Sequence, residues 1–252
     1  TRDGRTTSPS SRADSNIRDT RSNDTQVWLP GFGVLYNLSE ATTLVAGVHK
    51  GFTAPSNSPD VDEEDAINYE LGFRYNGGRN SAEAIYFLSD YDNLLGECTA
   101  SSGSDCTIGD AFNGDAATVQ GIELLFTTDM SRTGNYNIPV TFTYTYIDSE
   151  FDSDVADTDF FGDVSKGDPI PYIPEHQFNL SVGFLKDQWS SYINVSFVDE
   201  VCVRASCNAF EKTDDSLTVD LSTHYALSEK IDLYGKVENI TGEEDILGRH
   251  PY

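Results

Sequence analysis

The chain has 252 residues, enough for one or two domains with a sizeable core, and a formal net charge of −26. This charge argues against nucleic acid as a partner, because a polyanion would be repelled. Apolar residues make up 38% of the chain, which is low for a globular enzyme, and aromatic residues make up 12%, which is high. The residues that follow Thr1 do not have the pattern of a signal peptide, and no apolar run approaches the ~18 residues of a membrane helix. The protein is therefore soluble, or it meets a membrane in a form that hydropathy does not detect.

Alternation of apolar and polar residues recurs along the chain and predicts about ten β-strands, most roughly 9 to 12 residues long. No segment has a convincing helical pattern. Stretch 81–91 is less regular, because apolar residues fall on both of its faces. The regular series, in chain order, cover residues 32–38, 44–48, 69–75, 122–126, 140–146, 178–184, 193–197, 217–225 and 231–237.

The connections between these strands alternate in length. Segments such as "NLSEAT", "NGGRN", "KDQ" and "LSEK" are short, whereas "GFTAPSNSPDVDEEDA", "GECTASSGSDCTIGDAFNGDA" and "EVCVRASCNAFEKTDD" are long. Short and long connections must then lie on opposite rims of an up-and-down antiparallel sheet. Outer-membrane β-barrels have this asymmetry, with short periplasmic turns and longer extracellular loops. We therefore predict an all-β fold, an antiparallel transmembrane barrel segment. The alternative, a soluble all-β sandwich, has no reason to segregate its loops by length and would carry more lysine on its polar face.

The strand at 140–146 shows what each face would contact, because large apolar residues alternate with threonines. In a barrel the apolar face contacts lipid and the hydroxylated face lines the lumen. The residues predicted to face lipid are Phe142, Tyr144, Tyr146, Leu180, Val182, Val195, Val219, Leu221 and Leu233. Those predicted to face the lumen are Thr141, Thr143, Thr145, Asn194, Ser196 and Asp220.

Two stretches carry a family resemblance. "LPGFGVLYNLSEATTLVAGVHKGFTAPS", followed by "NYELGFRY", resembles the barrel of TonB-dependent outer-membrane receptors, nearest to the ferric-dicitrate and siderophore branch. The late "KVENITGEED" with "GRHPY" is similar to the penultimate strand and last long loop of that family. The resemblance implies a plugged, 22-stranded barrel in the bacterial outer membrane that imports ferric siderophores or ferric citrate with TonB-derived energy.

This resemblance also implies a domain organisation. We expect residues 1–28 to be an extracellular loop-like segment and residues 29–252 to be part of the barrel, with the plug, the earlier strands and the last strand outside this chain. The implied partners are outer-membrane lipid, the TonB complex through the plug, and a small iron chelate. The chelate is cargo, and no cofactor is expected.

Ligand-contacting residues are less well defined by the sequence. A ferric chelate is usually anionic, so an acidic barrel would need local cations to hold it. Each cation could equally be a structural partner of a neighbouring carboxylate. The cationic candidates on predicted lumen faces or long connections are His49, Arg74, His176, Arg204 and Lys212. The aromatic candidates, for packing on a hydrophobic chelate, are Phe160, Phe161 and Tyr172.

Two other patterns indicate chemistry only weakly. Asp220, Ser222 and His224 share a lumen face, but consecutive same-face residues stand ~6.6 Å apart, too far for a nucleophile–base hydrogen bond. No enzyme activity is therefore predicted. "DSDVADTDFFGD" resembles a calcium loop but lacks its sixth-position glycine and twelfth-position glutamate, so we interpret it as a solvated acidic loop and predict no metal site.

The four cysteines lie in two long connections on the same rim. Cys98 and Cys106 share one, and Cys202 and Cys207 share another. An even count in compact local pairs on an oxidising surface favours two intraloop disulfides, Cys98–Cys106 and Cys202–Cys207. Cross-pairing between the loops stays open. A zinc site is disfavoured, because neither pair has CxxC spacing.

Two further functions fit a barrel without the family resemblance. One is a passive porin-like channel, and the other is a surface adhesin or structural barrel. A plug domain encoded upstream in the same gene would separate the importer from both.

Overall fold

The computed structural model describes residues 27–54, 61–97, 111–131, 134–158 and 162–248. These residues form β-strands and turns. The strands are β1 (Gly31–Asn37), β2 (Thr42–Thr53), β3 (Glu64–Gly77), β4 (Asn80–Tyr91), β5 (Leu95–Glu97), β6 (Ala111–Asn113), β7 (Ala117–Asp129), β8 (Pro139–Phe151), β9 (Val155–Thr158), β10 (Gly162–Val164), β11 (His176–Lys186), β12 (Trp189–Val198), β13 (Ser216–Ser228) and β14 (Ile231–Val237).

Ten of the strands form one antiparallel sheet, in the order β1-β2-β3-β4-β7-β8-β11-β12-β13-β14. Neighbours in the sheet follow one another along the chain, so the predicted up-and-down arrangement of about ten strands is confirmed. Strands β2, β4, β11 and β12 have 10 to 12 residues, as predicted, whereas β3, β7, β8 and β13 have 13 or 14. In the described ranges, no helix is long and apolar enough to span a membrane.

The connections of this sheet alternate in length as predicted. Residues 38–41, 78–79, 130–138, 187–188 and 229–230 join strands at one edge, the short rim. Residues 54–63, 92–116, 152–175 and 199–215 join them at the other edge, the long rim. Two long connections contain small antiparallel ladders that the alternation did not predict, β5 with β6 and β9 with β10. The second ladder contains residues 155–158 and 162–163 of the acidic "DSDVADTDFFGD" segment, and residues 159–161 lie outside the described residues.

The strand register sorts the side chains onto two faces. Phe126, Phe142, Leu180, Val195 and Val219 pair successively across five strands, and this side of the sheet is the apolar face. One residue further along, Thr127, Thr141, Ser181, Asn194 and Asp220 form the corresponding row on the other side, the polar face.

Large side chains on the apolar face are exposed, which is unusual for a sheet. Leu71 is 62% exposed and Ile193 is 49% exposed. A continuous exposed apolar surface is typical of a membrane or protein contact. This surface contains the residues predicted to contact lipid.

Strand β4 interrupts the polar face with Ile85 and Phe87. Ile85 is paired with Gly72, and Phe87 is paired with Gly121. A β-carbon on Gly121 would come within 2.8 Å of the Phe87 ring. The inward aromatic side chain is therefore accommodated by a neighbour without a side chain, which explains the irregular alternation of this segment.

The most buried side chains lie at the long rim rather than within the sheet. Ala117, Phe151, Val164, Ile170 and Ala205 form one cluster, and Phe151 is fully buried. Its members come from strand ends and from two long connections. The hydrophobic effect therefore packs parts of these connections into an ordered layer at the long rim of the sheet.

Candidate functional site

Backbone and side-chain hydrogen bonds join two long connections at the long rim. The Tyr172 amide donates to the Cys202 carbonyl at 2.9 Å, and the Ser206 hydroxyl donates to Asp168 Oδ2 at 2.8 Å. Within residues 199–215, the Val203 amide donates to the Glu211 carbonyl. These bonds fold connection 199–215 back on itself and hold it against connection 152–175.

A third segment, residues 238–248 after β14, joins the same assembly. The Asp214 amide donates to the Ile246 carbonyl at 3.0 Å, and the Ile246 amide donates to Asp214 Oδ2 at 2.9 Å. Leu247 is thereby brought to the ends of β12 and β13. Three chain segments, distant in sequence, meet at one place on the rim.

A cavity of about 300 Å³, here named the rim cleft, lies where these three segments meet. Its wall is mixed in character. The apolar part comes from Tyr172, Pro174, Val198, Val201 and Leu247, and the polar part comes from Asp199, Thr213, Asp214 and Ser216.

Among the described residues, the donors to the carboxylates of the rim cleft are backbone amides. Asp199 Oδ1 accepts from the Glu200 amide at 3.0 Å, and Asp214 Oδ2 accepts from Ile246. In the described part of the chain, neither carboxylate forms an ion pair. The rim cleft is therefore apolar on one side and negatively charged on the other.

A groove on the polar face adjoins the rim cleft. Val198 lines both, and the groove, about 320 Å³, also includes Thr143, Thr145, Gln177, Asn179 and Ser196. The Asn179 side-chain amide donates to the Ser196 hydroxyl at 2.7 Å. Hydroxyl and amide groups thus extend from the rim cleft down the polar face.

A second polar groove, about 200 Å³, lies between β2, β3, β4 and β7. His49, one of the predicted ligand residues, lines it together with Glu70 and Glu123. The Ser89 hydroxyl donates to Asn68 Oδ1 at 2.6 Å beside them. His49 therefore lies on the polar face, as the alternation predicted, in a groove whose carboxylates favour a cation.

Arg74 and His176 lie elsewhere. Arg74 is on the polar face near the short rim, where its Nε donates to Glu83 at 2.7 Å. His176 lies on the apolar face, because it is paired with Tyr146, and its Nδ1 is 3.0 Å from the Tyr144 hydroxyl. Neither lines the rim cleft. Their polar contacts are those of structural partners.

Tyr172 is the predicted ligand residue that does line the rim cleft. Arg204 lies in the neighbouring turn between buried Val203 and Ala205, and its Nε is buried without a hydrogen-bond partner among the described residues. Lys212 pairs with Glu200. Phe160 and Phe161 lie outside the described residues.

The cysteine turn beside the cleft is closed by a disulfide. Cys202 and Cys207 are bonded, with their Cα atoms 5.6 Å apart. Cys98 and Cys106 lie outside the described residues. The Cys202–Cys207 bond encloses Arg204 and Ala205, whose methyl group belongs to the buried cluster.

Asp220 and His224, which share a face of β13 with Ser222, make structural contacts. Asp220 Oδ1 accepts a hydrogen bond from the Asn239 amide at 2.9 Å, and His224 Nε2 lies 3.3 Å from Asp232 Oδ1. In the described ranges, no group of three metal-ligating side chains is assembled. These residues link β13 to the chain beside it.

Sequence reasoning missed Asp199, Asp214 and Leu247. The two aspartates flank the ends of β12 and β13, and adjacent strand ends always converge at a rim. That rule could have selected them from the many acidic residues. Leu247 reaches the cleft only through the contact between Asp214 and Ile246, and no local pattern encodes that contact.

Solved structures similar to this chain are outer-membrane transport proteins of low sequence identity. The ferric yersiniabactin uptake receptor FyuA from Yersinia pestis is 19% identical, with a TM-score of 0.65, over 85% of this chain and 32% of that one. The ferric citrate transporter FecA in its unliganded form is 20% identical, with a TM-score of 0.65, over 85% and 33%. The copper transporter OprC is 18% identical, with a TM-score of 0.62, over 86% and 34%. This chain therefore spans about a third of the length of each and shares its fold.

A sequence family defines the relationship more closely than these structures do. The family model described as "TonB dependent receptor-like, beta-barrel" matches residues 2–240, nearly the whole chain. The match covers every strand of the ten-stranded sheet. The chain therefore belongs to the TonB-dependent receptors, which are β-barrel proteins of the bacterial outer membrane and act as receptors and transporters rather than enzymes.

Proposed function

We propose that this chain is part of a receptor that imports a ferric chelate, a siderophore or ferric citrate complex, across the outer membrane with TonB-derived energy. The rim cleft is the observation that supports this most strongly. It is an ordered concave site, built by three segments, at the edge that carries the long connections. A mixed apolar and polar wall of this kind suits a small organic ligand.

The route from the rim cleft also fits import. Val198 is shared between the cleft and the groove on the polar face, so a ligand leaving the cleft would meet hydroxyl and amide groups next. Hydroxyl and side-chain amide groups both donate and accept hydrogen bonds, as a polar chelate would need along its path. In this proposal the long rim captures the chelate and the polar face lines its path.

The similar structures give a cargo class to test. Two are named for ferric yersiniabactin and ferric citrate, and one is named for copper. An iron chelate is the first expectation for this chain, and a copper complex must be included in the same panel.

The test uses the full-length gene in its own host. Uptake of ⁵⁵Fe is measured for citrate, catecholate and hydroxamate chelates, with ⁶⁴Cu alongside, in wild-type, receptor-deletion and tonB-deletion cells. The expected result is that uptake of one ferric chelate falls to background in both deletions, and that the plasmid-borne gene restores it only when tonB is intact.

The alternative functions predict different results. A passive channel would lose uptake in the receptor deletion but keep it in the tonB deletion. An adhesin would leave uptake of every chelate unchanged in the receptor deletion. Either outcome would overturn the proposed import.

A further inference from the structure

We propose that the rim cleft selects a positively charged chelate, by binding a cationic arm such as an ammonium group beside an apolar flank. This inference rests on the proposed function and names its substrate class. It starts from the carboxylates of Asp199 and Asp214, which line one cavity from the two ends of connection 199–215.

Both carboxylates retain acceptor capacity for a ligand. Among the described residues, each accepts one hydrogen bond from a backbone amide, through Oδ1 in Asp199 and Oδ2 in Asp214. An ionised carboxylate has two oxygens and about four acceptor sites. Hydrogen bonds from a charged donor to such oxygens are stronger than neutral ones. The two carboxylates can therefore accept further hydrogen bonds from a ligand, and an ammonium group supplies up to three donors.

Nearby cations of the described chain do not neutralise this pair. Lys212, in connection 199–215, is paired with Glu200. Arg204 does not line the cleft. An anionic arm entering the cleft would therefore meet two carboxylates without a compensating cation from its wall.

The field of the whole chain acts in the same direction. With a net charge of −26, the protein attracts cations toward its surface and repels anions. At physiological ionic strength this field is screened beyond about 8 Å, so it affects approach, while Asp199 and Asp214 decide binding in the cleft.

Size and apolar surface define the rest of the ligand arm. A cavity of about 300 Å³ is at the lower limit of small-molecule sites, so it takes one arm of a chelate rather than the whole complex. Tyr172, Val201 and Leu247 offer apolar surface to the methylene groups of that arm. In a linear alkyl-ammonium arm, the alkyl chain would contact the apolar side of the cleft and the ammonium group would contact the carboxylates.

The experiment measures binding of three matched probes to the purified full-length receptor by isothermal titration. The probes are a linear ferric trishydroxamate with a terminal ammonium group, its N-acetyl derivative and its N-succinyl derivative, which differ in charge at one end. We expect the ammonium probe to bind about tenfold more tightly than the acetyl probe, and the succinyl probe to bind most weakly.

Variants then locate the selectivity. Asp199→Asn with Asp214→Asn should lower the affinity ratio of the ammonium probe to the acetyl probe from about tenfold to about one. Asparagine keeps a side-chain acceptor for the Ile246 amide, so segment 238–248 should stay attached. Asp215→Asn removes a carboxylate that does not line the cleft, and it should keep the preference.

The outcomes separate this inference from the proposed function. Equal or tighter binding of the acetyl or succinyl probe, or a preference that survives the double variant, overturns the inference. TonB-dependent uptake of ferric citrate with no binding of any hydroxamate probe also overturns it, while the proposed function stands. Loss of TonB-dependent uptake for every chelate would remove the proposed function and this inference with it.

Discussion

Asp214 and Ile246 are joined by two hydrogen bonds, one in each direction. The Asp214 amide donates to the Ile246 carbonyl, and the Ile246 amide donates to the Asp214 carboxylate. The pair attaches segment 238–248 to connection 199–215 and sets Leu247 against the rim cleft. One wall of the candidate site therefore depends on a contact between residues 32 positions apart.

Asp214→Ala should loosen segment 238–248. The substitution removes the acceptor for the Ile246 amide, a loss of about 1 kcal/mol for one hydrogen bond, while the backbone bond remains. Hydrogen exchange followed by mass spectrometry should show faster exchange in peptides covering 238–248. Asp215→Ala, at the next position and likewise exposed, should leave exchange unchanged. Equal protection in both variants would show that the carboxylate does not hold this segment.

The two faces of β8 should label differently in intact outer membranes. Phe142 lies on the apolar face and Thr143 on the polar face. With single cysteines at these positions in a background without other reactive thiols, a membrane-impermeant maleimide should modify Thr143→Cys and spare Phe142→Cys, because lipid excludes a charged reagent. Ready labelling at position 142 with protection at 143 would reverse the orientation of the sheet.

The sheet could be predicted from the sequence because successive side chains of a strand point to opposite faces, which gives a residue pattern with a period of two. Phe142 and Leu180 are directly paired in the structure, and each belongs to an apolar series that could be counted from residue types alone. The alternation of short and long connections then fixed which strands are neighbours. Family resemblance added the membrane setting, and the family match supports it.

The rim cleft could not be predicted in the same way. It depends on contacts such as Tyr172 to Cys202 and Asp214 to Ile246, which join separate connections and have no periodicity. Five cations were candidates from the sequence, but Lys212 and Arg74 are paired to carboxylates and His176 contacts two tyrosines. Charge type and position in a loop do not tell a ligand residue from a structural one.

Gly121→Val should destabilise the barrel. A side chain there would collide with the Phe87 ring and the Tyr146 carbonyl, and overpacking of this kind costs about 1–3 kcal/mol. The urea midpoint of the detergent-solubilised full-length receptor should fall. Gly134→Val is the matched control, because a β-carbon at Gly134 meets nothing within 4 Å. If the midpoint stayed the same in both variants, the packing of Phe87 over Gly121 would not contribute to stability.

Breaking the Cys202–Cys207 bond should disorder the cleft wall without unfolding the sheet. The bond closes a loop with a sequence separation of 5. By restricting the unfolded chain, it adds about 2 kcal/mol to the free energy of unfolding. The buried cluster includes Ala205 from inside this loop, and Tyr172 is bonded to the Cys202 carbonyl, so both contacts would weaken together. In the double variant Cys202→Ser with Cys207→Ser, limited trypsin digestion should cleave after Arg204 faster than in the wild type. The far-ultraviolet circular dichroism of the sheet should stay the same, while the urea midpoint falls because the unfolded chain is no longer restricted. Non-reducing peptide mapping of the wild type should recover 202 and 207 in one linked peptide. Free thiols at these positions, or a link from Cys202 to Cys98, would rule out the bond as the support of this wall.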